Sequence, residues 1–140
     1  MTPDSKKLEA NKAITGSFTE QFKNKHIVDS VDELFSPRAS LHLPLGEKAV
    51  GPDGQKDIGR AIFAAFPDVH VTIDNVMADG DFVAERHTAR ATHKGEFMGV
   101  PATGKKIHWT ENHLYRLEGG KIHEVWSEWS YQNLMAQLTK

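Results

Sequence analysis

The feature that most constrains this chain is a change of period at Pro67. Before it, apolar residues recur at helical spacing; after it, they alternate. Leu8, Ile14, Phe18 and Phe22 predict a helix over 5–24. Ser30 and Glu33 stand at capping-box spacing, which predicts a short helix carrying Val31, Leu34 and Phe35 that ends at Pro37. Residues 39–46 read as a short strand ending at Pro44. Residues 52–67 read as a third helix, with Asp53 as its cap, Ile58, Ile62 and Phe66 on one side and Pro67 as its stop. Beyond Pro67, Val69, Val71 and Ile73 alternate with His70, Thr72 and Asp74. In 81–93 the polar set Arg86, Thr88, Arg90 and Thr92 belongs to solvent, which turns Val83, His87, Ala89 and Ala91 inward. Residues 106–117 and 121–130 form a hairpin, and "YQNLMAQL" closes the chain as a helix. Helices followed by an antiparallel meander predict an α+β fold, with a curved antiparallel sheet curling around the N-terminal helices.

The length of 140 residues suits one domain, 1–140, with a single core. A net charge of −2 with interspersed signs offers nucleic acid no basic patch, and no segment reads as a signal peptide or a bilayer span. The absence of cysteine rules out thiolate chemistry and disulfides and fits a cytoplasmic setting. There is no HExxH pattern, so although His87, His113 and Glu111 could sterically meet at an ion, the reading is no metal and no cofactor. "GPDGQKDIG" lacks the phosphate-loop lysine pattern, and Lys23, Lys25 and Lys105–Lys106 read as solvated.

The hairpin carries the chemistry. "LEGGK" allows a two-residue turn, or a three-residue loop Glu118-Gly119-Gly120 with a bulge glycine; the second is preferred because Gly120 directly precedes the returning strand. That register sets Leu117 against Lys121, His113 against Val125, Glu111 against Ser127 and Trp109 against Trp129. One face then collects Trp109, Glu111, His113, Tyr115, His123, Val125, Ser127 and Trp129. The other holds Thr110, Asn112, Leu114, Ile122, Glu124, Trp126 and Glu128. The first face resembles a pocket wall, with flat aromatic area and a His113–Glu111 pair able to exchange protons with something bound between them. Burial should raise the pKa of Glu111 and lower that of His113, while their mutual attraction opposes both shifts. A histidine beside a glutamate in a sheet is also an ordinary structural hydrogen-bonded pair.

Three segments carry a family resemblance: "FPDVHVTIDNVMADGDFV" (66–83), "THKGEFMGVPATGKKI" (92–107), and "YRLEGGKIHEVW" followed by "LMAQL" (115–138). In these the chain resembles the SnoaL-like polyketide cyclase and ester cyclase group, within the nuclear transport factor 2-like superfamily of cone-shaped α+β barrels. "WSYQNL" is similar to the closing strand of the related ketosteroid isomerases, whose tryptophan lines the pocket, and this implies that Trp129 faces the cavity. The resemblance implies aldol cyclisation or isomerisation of a small hydrophobic, polyketide-like or cyclic ketone, without cofactor. The alternative it leaves is a non-catalytic pocket that binds such a molecule. His113 takes the place of the cyclases' histidine. Their catalytic aspartate position reads Ser127, and a later acidic position reads Ser130. The isomerases' base position reads Leu43, and their helix tyrosine falls at Thr19 or Phe18. Glu111 is therefore expected to act as general base, with His113 donating to an enolate oxygen. Trp109, Trp129, Ser127, Val125, Tyr115, His87 and Leu43 are expected around the ligand, and His42 could join the cluster. Leu114, Ile122 and Trp126 among polar neighbours suggest a homodimer through the outer sheet face.

Overall fold

The computed structural model describes residues 2–140. Helix α1 (Pro3–Ser17) begins at Thr2, whose hydroxyl accepts from the Ser5 amide, and has proline at its start. It runs directly into a π-helical segment, Phe18–Asn24. A 3-10 turn (Val28–Ser30) and a four-residue helix α2 (Val31–Leu34) lead into strand β1 (Phe35–His42). After β2 (Lys48–Val50) come helix α3 (Gly51–Ala65), strands β3 (His70–Asp79), β4 (Phe82–Thr92), β5 (Lys106–Glu118) and β6 (Lys121–Trp129), and helix α4 (Tyr131–Thr139). Among the described residues, no helix is long and apolar enough to cross a membrane.

The six strands form one sheet in the order β2-β1-β6-β5-β4-β3. From β3 to β6 it is the expected meander; β1 then joins β6 in parallel. The concave face is covered by the helices, and its apolar side chains form two clusters. One holds Phe18, Phe22, Phe35, Tyr115, Leu117 and Ile122; the other holds Phe66, Val71, Ala89, Trp109 and Leu134. Gly59 lets α3 close on the π-helical segment, since a Cβ there would lie 2.3 Å from the Phe22 ring.

Several local expectations give way. Pro37 lies inside β1, so α2 ends earlier, where Phe35 turns extended; Ser30 makes no capping bond. The first strand covers 35–42 rather than 39–46, and β2 was not foreseen. Val50, not Asp53, precedes the first turn of α3.

The hairpin is the main correction. Glu118 pairs with Lys121 across a two-residue turn, Gly119 and Gly120, both at positive φ (58° and 77°). Both central residues left-handed is the turn that suits strand twist, and glycine adopts it without steric cost. The bulge falls one step later, at His123, between the pairs Leu117–Ile122 and Arg116–Glu124. Beyond it Tyr115 faces Val125, His113 faces Ser127 and Glu111 faces Trp129. These partners are two residues from the expected ones, so every side chain there keeps its expected face. Between turn and bulge the slip is one residue, so Ile122 is buried inside and His123 is pushed towards Glu118.

Candidate functional site

A band of polar side chains crosses the apolar concave face. Strand alternation places it: Glu85 and His87 on β4, and Glu111 and His113 on β5, all point inward and all are buried. His87 faces Glu111 and Glu85 faces His113 across the β4–β5 ladder. From β6, Ser127 stands directly opposite His113.

The bonds form a connected chain. Ser127 Oγ lies 2.8 Å from His113 Nδ1, and His113 Nε2 lies 2.7 Å from Glu111 Oε1. The other Glu111 oxygen accepts from the Trp109 indole at 2.7 Å. An ionised carboxylate only accepts, so His113 carries its proton on Nε2 and its Nδ1 accepts from the Ser127 hydroxyl. A second branch runs behind: the Thr15 hydroxyl donates to Glu85 at 2.7 Å, and His87 Nε2 bonds Glu85 at 2.8 Å. Among the described residues His87 Nδ1 has no hydrogen-bond partner, and it stops 3.8 Å from Glu111 Oε1.

Lys23 reverses an expectation. Its side chain is only 16% exposed, and Nζ reaches within 3.2 Å of His113 Nε2 and 3.6 Å of Glu111 Oε1. The helix form explains this. In an α-helix five residues turn through roughly 140° beyond a full circle, so Lys23 would diverge from the buried Phe18. A π-helix instead bonds each residue to the one five before it, as Lys25 N does to Glu20 O at 3.0 Å. This winding returns Lys23 to the Phe18 side, and Nζ sits 5.2 Å from that ring's centre. In the sequence Lys23 directly follows the buried Phe22, and the α-helical period sends it away from that side.

Electrostatics follow from this crowding. Burial works to raise the Glu111 pKa, but Lys23 and the His113 hydrogen bond outweigh it and hold the carboxyl well below its usual range. Burial, helped by Lys23, lowers His113 from 6.5 to about 4 despite Glu111, so its imidazole is neutral at physiological pH. Burial likewise lowers Lys23, against the pull of Glu111 and Glu85. Ligand atoms of His87, Glu111 and His113 lie within 4.8 Å of one another, close enough to share an ion. Lys23 already brings a cation to two of these three, where a dication would meet it at short range.

A cavity of about 80 Å³ opens over this chain, several times the roughly 10–15 Å³ that one water needs. Trp109, Trp129, Val125 and Leu43 are on its wall, as are Phe22, Ile58 and Phe63 from the helices. Its polar lining is Lys23, Gln55, Glu111, His113 and Ser127. The two indoles stack at 5.2 Å between ring centres, although Trp109 lies past the last β5–β6 pair. Tyr115, expected at the ligand, is instead buried in the apolar cluster beside Phe18, with its hydroxyl unpaired among the described residues. His87 is fully buried behind Glu111 and does not line the cavity. His42 points outward, bonded to Glu124 at 2.7 Å and stacked on Trp126. Lys105 is also tied down, bonding the carbonyls of Gln137 and Lys140.

Comparison with known proteins gives this fold and site a family. Residues 13–138 match the SnoaL-like polyketide cyclase family, and the chain belongs to it. IdmH of Streptomyces antibioticus, a proposed polyketide cyclase, is 31% identical over 93% of this chain and 99% of its own, with a TM-score of 0.82. AclR of Streptomyces galilaeus, a proposed hydroxylase, is 27% identical over 94% and 96%, with a TM-score of 0.83. A SnoaL-like protein of Jannaschia sp. CCS1 shares the fold, with a TM-score of 0.90 over 99% of this chain and 96% of its own at 18% identity. No curated protein matches the sequence at a significant level. The family membership supports a cyclase-like role.

Proposed function

We propose that this protein is a cofactor-free acid/base catalyst that cyclises or isomerises a small, largely apolar carbonyl compound of polyketide-like or cyclic ketone type. The observation that carries the reading is the chain Ser127–His113–Glu111, which ends on a cavity walled by two tryptophans. Its ends have different duties. Glu111 has both oxygens hydrogen-bonded and a depressed pKa, so it is a positioning residue that fixes the imidazole and favours the imidazolium when it forms. The accepting nitrogen is His113 Nδ1, covered in the resting state by the Ser127 hydroxyl. Rotation of that hydroxyl uncovers Nδ1 for an α-proton of the substrate. The enolate left behind attacks a second carbonyl in the same molecule, or takes the proton back at another carbon. Such general-base help is worth roughly 100- to 10,000-fold.

Ser127 stands where the cyclases carry their acid, which favours a second reading, a pocket that binds such a compound without changing it. Titrating tryptophan fluorescence with polyaromatic ketones, then following the bound compound by mass spectrometry, separates the two. Conversion that Glu111→Gln abolishes, with affinity kept within a few-fold, supports the enzyme. Binding with the compound recovered unchanged supports the carrier.

The outer sheet face, where Leu114, Met77 and Phe82 are exposed, is proposed as the contact of a homodimer. Sedimentation showing only monomer at micromolar concentration contradicts it. A cysteine-free chain of this kind is proposed to work in the cytoplasm.

A further inference from the structure

The proton chain does not use Lys23, although its amine stands on the same cavity wall. Other lysines of this chain reach surface carboxylates, as Lys7 does with Asp81, or backbone carbonyls, as Lys121 does with Glu33. Lys23 is held over Phe18 by the π winding, with Nζ between an imidazole and a carboxylate. The tautomer matters here. His113 Nε2 carries the proton it gives to Glu111, so an ammonium at 3.2 Å from that nitrogen faces it donor to donor. An amine turns a lone pair towards the same N–H and accepts. Around Nζ the charged and titratable groups are Glu111 and His113 on β5 and Glu85 on β4, with His87 behind them against Glu85 and Glu111.

We propose that Lys23 is a nucleophile that forms an imine with the carbonyl group of the substrate, so that the bound ligand is an aldehyde or an unhindered ketone. This rests on the reading of the cavity as a site for carbonyl compounds and makes that reading more specific. A lysine desolvated in an apolar pocket is a recognised route to such a nucleophile. The balance is complete without a further reagent. Lys23 gives one ammonium proton to a neighbouring base, and its nitrogen forms a bond to the carbonyl carbon. The carbonyl oxygen takes that proton and a second from nitrogen, its C–O bond breaks, and it leaves as water. The third proton stays on the iminium nitrogen. The iminium then acidifies the α-carbon, whose proton passes to His113 Nδ1; the enamine attacks the second carbonyl, restoring the iminium, and the oxygen of that carbonyl takes the proton from His113. Water adds back to the iminium carbon, the C–N bond breaks, and Lys23 is released. Burial lowers the Lys23 pKa against the pull of Glu111 and Glu85, which eases the loss of the first ammonium proton.

The test needs no knowledge of the natural substrate. The intact protein is incubated at neutral pH with benzaldehyde and cyanoborohydride, which reduces iminium ions, and modified lysines are located by peptide mass spectrometry. Exposed lysines are almost wholly ammonium at that pH, so Lys23 should be labelled at least about tenfold faster than Lys25, Lys48 or Lys94. Labelling of Lys23 no faster than those three overturns the proposal. With a compound that the protein converts, Lys23→Arg keeps the cation and should lose at least about 100-fold in turnover. Full turnover by folded Lys23→Arg also overturns it. The two readings fail separately: an inactive Glu111→Gln with Lys23 unlabelled removes the imine alone, whereas labelled Lys23 with an active Glu111→Gln removes the proton chain alone.

Discussion

Two histidine–glutamate pairs with the same 2.7 Å contact stand on opposite faces of one sheet. Outside, His42 and Glu124 are 29% and 23% exposed, with Trp126 stacked on the imidazole and Arg116 near the carboxylate. Inside, His113 and Glu111 are 5% and 4% exposed, and a lysine is drawn in beside them. In the outer pair the hydrogen bond from His42 is enough to lower the Glu124 pKa, and water screens the rest. In the inner pair desolvation competes with every charge, and His113 is driven to about 4. Distance alone therefore says little; the surroundings decide which pair is only a surface hydrogen bond and which can pass a proton to something in a cavity.

The sharpest way to break that contrast is to neutralise each glutamate in turn. Glu111→Gln should lower turnover by roughly 100- to 10,000-fold, and Glu124→Gln should leave it within about twofold. Equal losses in steady-state assays would remove the distinction. Next in size is stability. Glu111→Leu leaves Lys23 without its counter-charge and should cost about 3–5 kcal/mol in urea unfolding, against at most ~1 kcal/mol for Glu124→Ala. Combining Glu111→Leu with Lys23→Met should recover much of the inner loss, because two apolar groups replace a buried pair.

Acid sharpens the comparison further. Folded His113 resists protonation until about pH 4, while the unfolded imidazole accepts a proton near its ordinary value. Between those two pH values the unfolded state binds more protons, so stability falls as pH is lowered through the window and this contribution levels off below it. The loss should reach about 3 kcal/mol, and His113→Asn should flatten the slope of unfolding free energy against pH. The Glu111 contribution runs in the same direction: its depressed pKa stabilises the fold above the ordinary carboxylate range and is lost as pH falls below it. The smallest effect is expected at Ser127→Ala. It uncovers Nδ1 at a cost of about 1 kcal/mol in stability, and calorimetry should show no change beyond that.

The same contrast shows what could be read from residues alone. Period settled most of the fold, since alternation after Pro67 identified the inward faces of β4 and β5 and with them His87, Glu111 and His113. The hairpin register was not readable, because "EGG" fits either of two turns and the His123 bulge leaves no mark in the sequence. The inward set beyond the bulge survived because a slip of two residues preserves strand parity. Tyr115 was placed on the correct face but not at the ligand, since alternation gives a side chain's direction and not which neighbours cover it. Lys23 was missed for a different reason. A charge run on a helix is ordinarily solvated, and the wider winding that turns it inward comes from tertiary packing of Phe18 and Phe22. Glu85 shares the inward parity of Val83 and His87, but the Thr15 hydroxyl that bonds it lies seventy positions away and cannot be read from the strand.

The central claim is tested most directly by the imidazole nitrogen resonances of His113 followed through a pH titration. A neutral ring protonated at Nε2, unchanged down to about pH 4, is what the chain from Ser127 to Glu111 requires. A ring that gains its second proton near pH 6.5, or that carries its proton on Nδ1 at neutral pH, would contradict it.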